Sequence, residues 1–129
     1  MTTQTAGRGS ELTAIDWNVL DALKVLQKPG KPDVRGKLID SYLSSSPSLF
    51  ERAKTAVTEA DGPSLMSAAH SIKSSSIAIG AISFGKTCFE LEQLGRSNNL
   101  DNSAAILERA EREFDSVCAA LLSVLEQMR

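Results

Sequence analysis

The sequence is poor in the side chains that most often bind metals or catalyse reactions. It has one histidine and only two cysteines, Cys88 and Cys118, which have no short-spaced partner. A structural zinc site needs about four ligands, so this supply is too small, and we assign no metal and no cofactor. Both cysteines are interpreted as small buried apolar residues rather than as redox groups.

Long apolar runs and an excess of charge of one sign are also missing. No segment approaches the ~20 apolar residues that span a bilayer, so we predict no membrane segment. The formal net charge of −2 argues against a general nucleic-acid binder, which usually has a strong basic excess. Residues 1–10 contain a single arginine and no apolar core, unlike a signal peptide. We therefore expect a cytoplasmic monomer, or a cytoplasmic part of a larger protein.

The alternation typical of strands is absent, and apolar residues recur with helical period between prolines and glycines. The length of 129 residues suits one domain. Residues 1–13, rich in Thr, Gly, Ser and Gln, are expected to form a mobile tail before a domain over 14–129. Asp16 is predicted to cap a first short helix. After a break at 28–32, a second short helix is predicted over 33–45.

Four longer helices are predicted in the rest of the chain. Ser46 and Pro47 suit the N-cap and first position of a new helix, or a kinked continuation of the preceding one. The next three are predicted over about 64–79, 81–95 and 103–127. The glycine at position 95 is expected to close the middle one of these three. In the helix over 81–95, the candidate core positions are Ile82, Phe84 or Gly85, Cys88, Phe89, Leu91 and Leu94. Short connections predict an all-α, antiparallel four-helix bundle of up-down-up-down form, with the short N-terminal helices packed across one end or side.

The helix over 64–79 has two unlike faces. At about 100° per residue, its core side takes Leu65, Ala68, Ala69, Ile72, Ser76 and Ile79. The histidine, His70, lies on the other side near Met66, Lys73, Ser74 and Ile77. Apolar side chains around a reactive imidazole suggest a protein-docking surface, for which we nominate Met66, Ser74 and Ile77. Gly80 is well placed to end the helix.

The pairing of His70 with Lys73 suits phosphoryl chemistry. A neutral imidazole is a nucleophile near pH 7, and phosphorylation would give a phosphoramidate with about two negative charges. Lys73 is one helical turn away, so its ammonium can reach that group. Nothing nearby completes a hydrolytic site, and a lone nucleophile with one cation favours a relay. From these residues alone, a surface histidine without a function stays an equal alternative.

Two motifs without a gap between them carry a resemblance. The first is Ala69-His70-Ser71-Ile72-Lys73-Ser74-Ser75-Ser76, followed by Gly80-Ala81, and the second is Cys88-Phe89-Glu90-Leu91-Glu92-Gln93-Leu94-Gly95-Arg96. They resemble the histidine-containing phosphotransfer (HPt) domains, which relay phosphoryl groups in multistep two-component signalling. The family patterns are approximately Ala-His-x-Leu-Lys-Gly-Ser-Ser/Ala, then Gly-Ala, and Cys-x-x-Leu-Glu-x-x-Gly-Arg. The resemblance covers roughly residues 33–127.

The resemblance implies a role for several residues. His70 matches the phosphoacceptor, whose Nε2 exchanges a phosphoryl group with an aspartate of a response-regulator receiver domain. Lys73 matches the lysine near the phosphate, and Arg96 matches a basic residue near the site in some members. Ser74 departs from the family glycine, which we expect to leave docking intact while partner range or transfer rate differs. Glu92 stands where some members have glutamine, and we assign it no role.

The partners that the resemblance implies are a receiver domain, a hybrid histidine kinase, or both. Such a domain has no kinase activity of its own, and Mg²⁺ is bound by the receiver's carboxylates. Two alternatives stay open. One is a helical adaptor that binds a kinase or receiver domain without being phosphorylated, and the other is a hydrolytic or metal enzyme.

Overall fold

A computed structural model describes residues 14–128 of the chain, and the tail expected over 1–13 lies outside the described residues. Within that range the chain forms α-helices and one 3₁₀ turn, without a strand. The elements are α1 (Trp17–Ala22), the 3₁₀ turn (Leu23–Leu26), α2 (Val34–Thr58), α3 (Gly62–Ala78), α4 (Ile82–Ser97) and α5 (Ser103–Met128). Over the same residues, no helix combines the length and the apolar character needed to cross a membrane.

Helices α2 to α5 form the predicted antiparallel bundle. Each packs on the next along the chain, and α5 packs back on α2, which closes the bundle. The α3–α4 pair has the most extensive contact. The short α1 is fixed to the turn after α3, because the backbone N–H of Asp16 donates to the carbonyl of Gly80 at 2.7 Å. The all-α, four-helix architecture predicted from the sequence is thus confirmed.

At Pro47 the structure decides between the two alternatives that the sequence left open. The expected second short helix over 33–45 is the first half of α2, which continues through Pro47 to Thr58. Both halves bury aromatic rings, Tyr42 and Phe50, in the same core, and this packing outweighs the backbone hydrogen bond that an interior proline removes. The three serines before the proline donate their hydroxyls to carbonyls four residues earlier: Ser44 to Asp40, Ser45 to Ser41 and Ser46 to Tyr42.

An aromatic cluster fills the centre of the bundle. The ring of Phe114 on α5 stacks on Phe50 of α2, with 5.1 Å between centroids, and on Phe84 of α4, with 5.4 Å. Tyr42 of α2 lies 6.4 Å from Phe114 and shares a buried hydrogen bond of 2.7 Å with the hydroxyl of Ser76 on α3. The cluster therefore ties all four bundle helices together.

The two cysteines are free, and neither has the features of a reactive thiol. Cys88 is fully buried, which agrees with its interpretation as a core residue, and Cys118 is partly buried. Burial raises the pKa of the Cys88 thiol to about 12 and that of Cys118 to about 11. Both thiols are therefore protonated at neutral pH.

Helix α3 (Gly62–Ala78) lies close to the predicted range of about 64–79, and Gly80 follows its end as predicted. Asp61 is its N-cap and accepts a hydrogen bond from the backbone N–H of Ser64 at 3.1 Å, with Pro63 in the first turn. After the helix, Gly80 has a φ of +98°, which an L-residue adopts with difficulty. A Cβ at this position would also lie 2.8 Å from the carbonyl oxygen of Asp16. A glycine is therefore required at position 80 both by the positive φ of its backbone and by the close approach of the residue that precedes α1.

Gly95 was predicted to close helix α4, and that prediction was wrong. The helix continues to Ser97, and Asn98 follows with a left-handed φ of 56°. The glycine serves close packing instead. A Cβ on Gly95 would lie 2.6 Å from the backbone N of Met66 in α3. A Cβ on Gly85, near the other end of α4, would lie 2.6 Å from the side-chain atom Cγ1 of Ile77 in α3. These two close approaches fix the register in which α4 faces the histidine of α3.

Candidate functional site

His70 lies near the middle of α3, on the side away from the core. The predicted core side of this helix is buried in full: Leu65, Ala68, Ala69, Ile72, Ser76 and Ile79. The imidazole itself has 60% of its side-chain surface exposed. Helical period and a buried stripe thus hold the ring at the surface, where a second molecule can reach it.

Glu92 of α4 anchors that ring. Its carboxylate oxygen Oε2 lies 3.0 Å from Nδ1 of His70, and only 4% of the Glu92 side chain is exposed. An ionised carboxylate only accepts hydrogen bonds, so Nδ1 carries the proton and donates it. The other ring nitrogen, Nε2, then holds the lone pair. This arrangement turns one defined nucleophilic atom toward solvent.

Three side chains surround the Glu92 carboxylate. Nζ of Lys73 lies 2.7 Å from Oε1, close enough for a strong ion pair although its angle is not that of a hydrogen bond. Arg96, one turn along α4, places a guanidinium nitrogen 3.3 Å from Oε2. Burial opposes the charged form of Glu92, but Lys73 and His70 outweigh it and hold the pKa of this carboxyl below its ordinary value. Glu92 is therefore ionised at neutral pH.

Lys73 also contacts an aromatic ring. Its Nζ lies 5.0 Å from the ring centroid of Phe89 on α4, within the range of a cation–π interaction. Phe89 was predicted as a core position, and that prediction was wrong, because the residue is 47% exposed. Because Gly85 and Gly95 face α3, the buried side of α4 carries Cys88, Leu91 and Glu92. Phe89 is therefore at the edge of that side, next to α3.

The other residues predicted for the site lie around this centre. Ser74 and Ile77 are exposed on the histidine side of α3, whereas Met66 is half-buried against α4. Arg96 reaches the site through Glu92, and its side chain is 59% exposed. Gly80 lies outside the group, at the turn that follows α3.

Glu92 is the residue that the sequence analysis missed. It lies 22 positions from His70, so no local period connects the two. One signal was present: Glu92 falls on the stripe of α4 that also carries Cys88, Leu91 and Gly95, and a carboxylate at a buried helix position needs a charged partner. The resemblance drew attention to this position but not to its contact.

The chemistry available is nucleophilic attack by Nε2 with cations close at hand. Among residues 14–128, no three His, Cys, Asp or Glu side chains come together as a metal site. Four side chains, His70, Lys73, Glu92 and Arg96, form the whole polar centre that the described residues bring to the ring. The described residues around the ring thus provide one imidazole, one buried carboxylate and two cationic groups.

Comparisons with known proteins agree with this chemistry. A family model described as the Hpt domain matches residues 37–128. Among solved structures, the chain is similar to histidine-containing phosphotransfer protein B (HptB) from Pseudomonas aeruginosa PAO1, with 28% sequence identity and a TM-score of 0.82. That match covers 90% of this chain and 97% of the other. A search of curated protein sequences gives no match.

Proposed function

The chain belongs to the Hpt domain family, whose members carry phosphoryl groups on histidine in two-component signalling, and on that premise we propose that His70 relays a phosphoryl group to and from aspartates of response-regulator receiver domains. One observation carries the proposal. The exposed imidazole of His70 is held through Nδ1 by the buried carboxylate of Glu92, which leaves Nε2 free at the surface. Residues 14–129 are the part of the chain to which we assign this role.

The transfer itself needs little from the chain. Nε2 of His70 attacks the phosphorus of an aspartyl phosphate, the N–P bond forms, and the P–O bond breaks with its electron pair returning to the aspartate. Nε2 has no proton to lose, because the proton is on Nδ1, so no general base is needed. The ring becomes positive in the product, and the hydrogen bond to Glu92 stabilises that charge. The reverse sequence passes the phosphoryl group to the next aspartate.

Two cations are available for the phosphoryl group. Lys73 lies one turn from His70 on the same face of α3, so rotation of its side chain brings the ammonium to the phosphoryl oxygens. We assign it the stabilisation of that group, as a point charge. Arg96 contributes a second positive charge from α4 and already contacts Glu92. We assign it an auxiliary role of the same kind.

The surface around His70 supports docking of a partner domain. Ser74 and Ile77 are exposed on the histidine side of α3, and Phe89 of α4, which contacts Lys73, is 47% exposed. On the other side, an apolar groove between the 3₁₀ turn, α2 and α3 is rimmed by exposed Leu26 and Leu38. We assign both sides, together with half-buried Met66, to receiver docking.

The proposal describes a carrier without kinase activity. The phosphoryl donor and any metal ion come with the partner, and one copy of the chain supplies every side chain of the polar centre, so a monomer suffices. The structural likeness to a protein that is itself named for histidine phosphotransfer supports this class over a hydrolase.

The test follows labelled phosphate from a purified phosphorylated receiver domain to the full chain. We expect label on the wild type and none on His70→Gln, with the melting temperature of the variant unchanged. Absence of label on the wild type with every receiver of its own organism, or equal label on His70→Gln, would overturn the proposal. If His70→Ala kept full signalling in cells, the unphosphorylated adaptor would be the correct function instead.

A further inference from the structure

Lys73, the cation assigned to the phosphoryl group, has other partners in the unphosphorylated protein. Its Nζ lies 2.7 Å from Oε1 of Glu92 and 5.0 Å from the ring centroid of Phe89. Only 20% of its side chain is exposed. The ammonium is therefore turned toward α4 and would have to leave these two partners to reach a phosphoryl group on Nε2 of His70.

The carboxylate of Glu92 needs this cation as a partner. Its carboxylate is almost completely buried, and a buried charge is costly unless it is paired. Oε2 is shared by His70 and Arg96, whereas Lys73 is the only ion-pair partner found for Oε1 among the described residues. If Lys73 moved away, Oε1 of the buried carboxylate would thus lose its cationic partner.

We propose that Glu92 and the phosphoryl group of His70 compete for Lys73, and that this competition keeps the phosphohistidine short-lived and ready for transfer. Phe89 is a positioning residue that favours the contact of Lys73 with Glu92. The inference rests on the proposed function, because it concerns the phosphorylated state. An amide in place of Glu92 would still accept the hydrogen bond from Nδ1, but it has no charge with which to hold an ammonium. The acid at this position therefore sets how much of Lys73 is available to the phosphoryl group.

The experiment measures the half-life of the phosphohistidine. The full chain is phosphorylated with phosphoramidate or with a phosphorylated receiver domain, the donor is removed, and the ³¹P signal of the N–P bond is followed at constant pH. Glu92→Gln should lengthen the half-life about three- to tenfold, because the ammonium of Lys73 no longer has to leave a carboxylate to reach the phosphoryl group. Phe89→Leu keeps apolar bulk but loses the ring face, and should lengthen it by a smaller factor.

A matched control is available on the same helix. Glu90 is exposed and pairs with Arg109 on α5, so Glu90→Gln makes the same change in net charge away from the site. Its half-life should equal that of the wild type. If Glu92→Gln fails to fold, Phe89→Leu still tests the inference. The melting temperature of each variant shows whether it has folded.

The decisive measurement repeats Glu92→Gln in a Lys73→Met background. If Glu92 acts through Lys73, the substitution should not lengthen the half-life there. An equal lengthening in both backgrounds would show a direct effect of the carboxylate on the ring and overturn the inference, as would an unchanged half-life in both Glu92→Gln and Phe89→Leu. A wild type that takes up no phosphoryl group from any donor would instead overturn the proposed function, and this inference with it.

Discussion

Nδ1 of His70 and Oε2 of Glu92 lie 3.0 Å apart, although the two residues are on different helices. The contact joins the most exposed group of the polar centre to its most buried one, since the side chains are 60% and 4% exposed. It fixes the orientation of a surface imidazole. We expect the stability of the bundle to depend on the charge of this carboxylate.

The stability of the protein should depend on pH through Glu92. The pKa of Glu92 is held below its ordinary value of 4.5 in the folded protein, so its contribution to stability is fully present above that value. The contribution is lost as the pH falls through the lower, folded-state pKa. Urea unfolding between pH 7 and pH 3 should therefore show a smaller loss of unfolding free energy in Glu92→Gln than in the wild type. Glu90→Gln should keep the wild-type slope, and identical slopes in all three proteins would contradict the assignment.

Lys73→Ala should leave the fold intact while impairing phosphate handling. Glu92 keeps His70 and Arg96 as partners, so we expect the loss in the free energy of unfolding to stay below the roughly 3–5 kcal/mol that a completely broken buried pair costs. Transfer to His70 should slow, or the phosphohistidine lifetime should shorten, by about three- to tenfold. The control is Lys86→Ala, which removes an exposed lysine from α4. Unchanged transfer and lifetime in Lys73→Ala would remove Lys73 from the site.

Gly80→Val should damage folding, for two reasons that a control separates. The backbone at Gly80 has a φ of +98°, and an added Cβ would lie 2.8 Å from the carbonyl oxygen of Asp16. Gly30 has a φ of +75° but no atom within 4 Å of such a Cβ. We expect Gly80→Val to cost about 3–5 kcal/mol in chemical denaturation and Gly30→Val about 1–2 kcal/mol. Equal costs would show that the contact with α1 is unimportant.

The hydrogen bond between Tyr42 and Ser76 should contribute to stability through its burial. Tyr42→Phe leaves the Ser76 hydroxyl buried without this partner, which should cost about 1–3 kcal/mol. Ser76→Ala leaves the tyrosine hydroxyl in the same situation. The double variant should therefore cost less than the sum of the two single variants, when all four proteins are compared by urea unfolding. Strict additivity would mean that the two hydroxyls do not depend on each other.

Much of the fold and the central residue of the site could be predicted from the sequence, because both depend on local rules. A period of about 3.6 residues assigns every side chain of α3 to a face, and all six predicted core positions of that helix are buried. The cap at Asp61 and the left-handed turn at Gly80 are equally local. The exposure of His70 follows from these features together, before any contact with another helix is considered.

The tertiary structure decided what surrounds the histidine. Whether Pro47 begins a helix or lies within one depends on the shared core that holds both halves of α2, which no local pattern contains. The exposure of Phe89 and the burial of Glu92 both depend on the rotation of α4, and Gly85 and Gly95 set that rotation through their close approach to α3. The sequence determined by itself that one imidazole faces outward from a helical bundle. Only the packing of α3 on α4 decided that a buried carboxylate orients this ring and holds its neighbouring lysine.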